Sequence, residues 1–114
     1  MFGNSRTKYQ YTSLGTSTSE TTIVTADPAT RNQLVGLLIT TTDAAAATIT
    51  LRDGTGGSTA AVINYPNASS APSAPFVVTF DPPLDPLAKN SNWTVQMSAN
   101  LGRTDITAFY VKEQ

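Results

Sequence analysis

The 114-residue sequence contains no cysteine and no histidine. Without thiols there is no disulfide framework and no thiolate metal site, so a domain this small must be held by core packing or by assembly. Without imidazole or thiolate, the commonest general base, the best nucleophile and the principal soft metal ligands are missing, which removes most hydrolytic mechanisms. Charge is scarce too. Only 13% of residues are charged, the formal net charge is −1, and the seven basic residues (Arg6, Lys8, Arg31, Arg52, Lys89, Arg103, Lys112) are scattered. No strip exists to neutralise a run of phosphates, so nucleic acid is not expected as a direct ligand. No apolar stretch is long enough to span a bilayer, and residues 1–15 lack the apolar centre of a signal peptide. The expectation is no membrane partner, and synthesis and folding in a cytoplasm.

What the chain does contain is Thr, Ser and Ala, punctuated by 7 Gly and 7 Pro. β-branched Thr suits a pleated, half-buried surface, and Gly and Pro mark turns, so the composition points to an all-β domain. The length allows one core of two packed layers. Residues 1–20 mix aromatic and basic side chains with a hydroxyl-rich stretch and read as an extended N-terminal arm or edge strand, leaving 21–114 as a single β-sandwich domain.

The pattern along the chain predicts short strands. Thr21–Ala26 ends at Asp27-Pro28, because proline supplies no ladder donor. Gln33–Thr42 is the strongest apolar run and reads as a core strand. Asp43–Ala47 has helical propensity but is too short to nucleate alone, so a turn is expected. Ala47–Asp53 alternates Ile49 and Leu51 against Thr48, Thr50 and Arg52; with the Gly54–Gly57 turn and Thr59–Tyr65 it forms the clearest hairpin. Pro66–Pro75 reads as a surface loop, Phe76–Asp81 as a strand, and Asp81–Pro86 as stiff extended or turn structure. Trp93–Ala99 alternates again, Asn100–Gly102 turns, and Ile106–Lys112 closes the domain. Seven or eight short strands at regular spacing predict an antiparallel sandwich or small barrel.

Candidate chemistry is thin. Asp53, Asp81 and Asp85 could pair as the two carboxyls of a glycosidase, although aspartate before proline or glycine is ordinary turn chemistry. A calcium site could be assembled from Asp53 with Asp43, Asp81 or Asp85, but the spacing is not that of an EF-hand, so no metal and no cofactor are expected. Asn67 and Asn92 sit in short glycosylation patterns that arise by chance. Trp93, Tyr65, Phe76, Phe80, Phe109 and Tyr110 could stack on sugars, yet they lie in predicted strands and are expected mostly to fill the core. In the arm, Phe2, Tyr9 and Tyr11 stand in polar company beside Arg6 and Lys8, as anchors on a partner-binding segment would.

Residues 33–57 (QLVGLLITTTDAAAATITLRDGTGG), then a Pro/Ser/Ala loop, FVVTFDPPL and NWTVQMSANLGRTDITAFYVKEQ, together resemble the small β-sandwich virion proteins of tailed bacteriophages. The resemblance runs over about residues 20–112 and is carried by Leu34-Val-Gly36, Asp53-Gly54, Phe80 and the stretch Val95–Val111. It implies a jelly-roll-like sandwich that decorates or cements a capsid: a non-enzymatic structural protein on the virion surface. Its partners would be the major capsid protein and further copies of itself, a homotrimer being favoured. Two other readings remain open, a carbohydrate-binding or host-recognition module of a head or tail fibre, and a two-carboxylate hydrolase.

Overall fold

A computed structural model describes residues 6–42, 47–65 and 75–113. Phe2, most of the predicted 43–47 turn and all but the last residue of the predicted 66–75 loop lie outside them. Eight strands make up the fold: β1 (Thr7–Gly15), β2 (Thr21–Val24), β3 (Arg31–Thr41), β4 (Ala47–Asp53), β5 (Ser58–Tyr65), β6 (Phe76–Leu84), β7 (Trp93–Met97) and β8 (Thr104–Glu113). The described residues contain no helix. The strands form two antiparallel four-stranded sheets, ordered β1-β8-β3-β6 and β2-β7-β4-β5. This alternation, in which consecutive strands other than β4 and β5 change sheet, is the wrapping of a jelly roll.

Each sheet contributes one face to the core. The first sends in Leu14, Leu34, Leu37, Ile39, Ile106 and Ala108; the second sends in Ile23, Val24, Ile49, Leu51, Tyr65, Trp93, Val95 and Met97. The alternation predicted for β4 is observed: Ile49 and Leu51 are fully buried while Thr48 and Thr50 are only half-buried. Polar links also cross between the sheets. The Trp93 indole N–H donates to the Asn32 carbonyl at 2.6 Å, and the Thr41 and Tyr65 hydroxyls share a buried hydrogen bond of 3.0 Å. A buried indole N–H without an acceptor would be destabilising, so the Asn32 carbonyl fixes where the Trp93 ring can sit.

Local irregularities follow from residue type. In β3 the register shifts between Leu34 and Gly36, and a Cβ on Gly36 would stand 2.8 Å from the Val78 carbonyl oxygen, so only glycine permits this approach of β6. The β4–β5 turn uses positive φ at Gly54 (87°) and Gly56 (67°), where side chains are disfavoured. β6 runs on through Pro82 and Pro83 to Leu84, which an edge strand tolerates because its outer N–H groups have no ladder partner to lose.

Candidate functional site

The two outer faces differ in chemistry. On the β2-β7-β4-β5 sheet, β4 turns Thr48, Thr50 and Arg52 outward, a polar surface in which Arg52 donates to Gln96 at 2.8 Å. On the β1-β8-β3-β6 sheet the register aligns Tyr11 with Thr107, Thr107 with Leu38, and Leu38 with Val77. Ile106, Ala108, Leu37 and Ile39 point into the core, so by the two-residue period this row points out. The neighbouring row runs Tyr9, Phe109, Gly36, Thr79. Tyr9 and Val77 are 72% and 62% exposed, making this an aromatic and aliphatic wall open to solvent.

The wall is partly pre-organised. The Tyr11 hydroxyl donates to Asp105 at 2.7 Å and accepts from Arg103 at 3.3 Å, while Arg103 and Asp105 form an ion pair at 3.1 Å. The Tyr11 hydroxyl, with help from Ser13 and Arg103, holds the Asp105 carboxyl below the usual carboxylate range. A tyrosine pinned at its hydroxyl loses less freedom on docking than an unrestrained one.

Of the predicted partner-binding residues, Arg6 precedes β1 and Lys8, Tyr9 and Tyr11 lie on it; Phe2 falls outside the described residues. The structure brings Tyr9 and Tyr11 together on one face, whereas Lys8 alternates to the other side of the strand. Arg6 and Lys8 form no ion pair among the described residues. Leu38, Val77 and Phe109 complete the wall and were not singled out from sequence. Phe109, expected among the core-filling aromatics, faces outward beside Tyr9, while Tyr65 and Trp93 are buried as expected. The only signal for the wall was the apolar character of residues 33–42 and 106–112 on both faces.

The carboxylates considered for catalysis or calcium sit elsewhere. Asp53 and Asp85 line a cavity of about 210 Å³ with Ser58, Thr59, Leu84, Leu87 and Trp93. Asp53 is already engaged there, accepting from the Leu87 N–H at 2.8 Å and from the Ser91 hydroxyl. Asp81 is exposed on the edge strand β6, and Asp43 is not among the described residues. No cluster of three metal-ligating acids occurs among the described residues. Asn92, in the second glycosylation pattern, has its amide committed: it donates to Thr22 and Thr55 and accepts from the Thr55 N–H.

Against known proteins, no family model and no curated sequence matches the chain. Among solved structures, a chain of the cyanophage Pam1 capsid asymmetric unit is similar to it. The TM-score is 0.54 at 20% identity, over 97% of this chain and 88% of that one. The likeness is one of fold, and it extends over nearly all of both chains.

Proposed function

We propose that this chain is a structural subunit of a phage virion, without enzymatic activity, that decorates or cements the capsid by binding the major capsid protein. The observation that carries this is the whole-chain likeness of fold to a chain of a phage capsid asymmetric unit. The matched chain is only slightly longer than this one, so the likeness is not to a domain within a much larger protein. The physical features agree with it. Tyr9, Tyr11, Phe109, Leu38 and Val77 form a broad wall of the kind that packs against another protein's flat surface, with charges kept to its rim at Arg103 and Asp105. Lys8 projects from the other side of β1, with Arg6 before the strand, so in this reading the two cations engage the partner at the edge of β1 rather than through the wall. Self-association, as a trimer, is part of this reading, since a small domain without disulfides gains stability from partner subunits.

Removing residues 1–15 would strip β1 from β8, so point substitutions are the cleaner test. Tyr9→Ser with Tyr11→Ser should leave a folded domain and weaken uptake onto empty phage capsids, measured by co-sedimentation, by about 30-fold or more. Stoichiometric uptake that is indifferent to both changes would overturn the docking surface, and no uptake by the native chain would overturn the decoration reading. The exposed Tyr9 also fits the second reading, a carbohydrate-binding module of a fibre, because an exposed ring is a stacking platform. Saturable binding of a host-surface glycan that is lost in Tyr9→Ser, with no capsid uptake, would favour it.

A further inference from the structure

The sandwich has two unlike flanks. On one side β1 packs over β2. On the other lie the edge strands β5 and β6, which meet at the Tyr65 and Phe76 rings, edge-to-face at 5.3 Å. The β1–β2 flank carries Arg6, Lys8 and Glu20, while neither Ser58–Tyr65 nor Phe76–Phe80 holds a single charged side chain. We propose that the β5–β6 flank is the surface through which copies of this chain pack around a symmetry axis. This rests on the self-association part of the proposed function and names its surface.

Two physical arguments converge on a second copy of the chain as the occupant. Around a symmetry axis identical residues approach one another, so any charge near the axis meets its own like. The part of the flank built by β5 and residues 76–80, which carries no charge before Asp81, escapes that repulsion and offers no handle to a charged foreign partner. The second argument concerns edges. Sheet edges of monomeric proteins are blunted by brevity, charge, bulges or proline. β2 has four residues, β1 carries Lys8 and a bulge at Ser13/Gly15, and β6 holds Pro82 and Pro83. β5 has eight residues with neither charge nor proline, and its register shift is confined to the hairpin end, opposite Leu51/Arg52. Val62 of β5, 57% exposed, adds apolar surface along this edge.

Sedimentation equilibrium of the full chain at micromolar concentration tests this, with Val62→Lys/Asn64→Lys on β5 as the probe and Thr16→Lys, in the β1–β2 connection on the opposite flank, as the control. Val62 is 57% exposed and Asn64 is exposed, so a folded monomer should survive the substitutions. The expected result is a trimer mass for the native chain and the control, and association weakened at least about tenfold in the double variant. A double variant that keeps the native mass overturns the flank assignment and leaves self-association standing. A native chain that stays monomeric overturns self-association itself. Hydrogen exchange provides a readout that needs no variant: amides 61–64 of the native chain should be better protected at high than at low concentration. Equal protection in an associated native chain would also overturn the flank assignment.

Discussion

At Gly36 a missing side chain decides how close two strands come. A Cβ there would lie 2.8 Å from the Val78 carbonyl oxygen, a backbone atom that cannot rotate away, in the middle of the β3–β6 ladder. Gly36→Ala must therefore push β6 outward or strain β3, and overpacking of this kind costs about 1–3 kcal/mol. A urea titration should show a lower midpoint with an unchanged slope, and an unaltered midpoint would mean that the ladder gives way freely. Gly57 is tighter still, since its Cβ would overlap the Asp53 carbonyl oxygen at 2.0 Å, but it sits at an exposed hairpin where backbone shifts propagate less. Gly36 is the more informative site because it lies beneath the proposed docking wall.

At the scale of elements, Asp53 joins the end of β4 to the segment between β6 and β7. Its two oxygens accept from the Leu87 N–H and the Ser91 hydroxyl, and the Gly54 N–H donates to the Asn92 carbonyl at 2.7 Å beside them. Asp53→Ala should release residues 87–91, lowering stability by about 1–3 kcal/mol and accelerating exchange of the Leu87 amide. Unchanged exchange there would show that the prolines hold the segment without the carboxylate. This role was half legible in the sequence, where aspartate before glycine reads as turn chemistry, but its partners lie more than thirty positions away. Strands were legible wherever one face is buried: β4 was expected at Ala47–Asp53 and is found there. β6 was expected to stop at Asp81 and continues to Leu84, because on an edge the prolines break no ladder bond. The order of strands was not legible. Nothing local tells that β1 pairs with β8, and without that pairing Tyr9 cannot be set beside Phe109. The exposed wall as a whole was not legible for that reason, since beyond Tyr9 and Tyr11 it is a property of register rather than of any one strand.

For the molecule as a whole, three of the carboxylates that close long loops of the chain are held below the usual carboxylate range. Asp27 is lowered by the Lys112 ammonium at 2.8 Å and by the Ala29 N–H; Asp105 chiefly by the Tyr11 hydroxyl; Glu20 by the Thr94 hydroxyl and the Gly56 N–H. Each links residues far apart in sequence: the end of β8 to the β2–β3 connection, β8 to β1, and the approach to β2 to the β4–β5 turn. An acid that is stronger folded than unfolded stabilises the fold at pH values above its unfolded pKa, about 4, and that stabilisation fades as pH falls through the lower folded value. Lys112, raised mainly by Asp27, runs the opposite way: its contribution is complete below its unfolded pKa, about 10.4, and is lost as pH rises past it. With no histidine and no cysteine, no side chain titrates near neutral pH by ordinary chemistry. The urea midpoint should therefore be nearly flat from about pH 5 to 8 and fall steadily below about pH 4. Asp27→Asn should lower the neutral plateau and make the acid decline shallower, because the variant has lost the group whose protonation drives part of it. A midpoint that rises on acidification, or an Asp27→Asn profile parallel to that of the native chain, would mean that these exposed links contribute nothing to stability and that core packing alone holds the two sheets together.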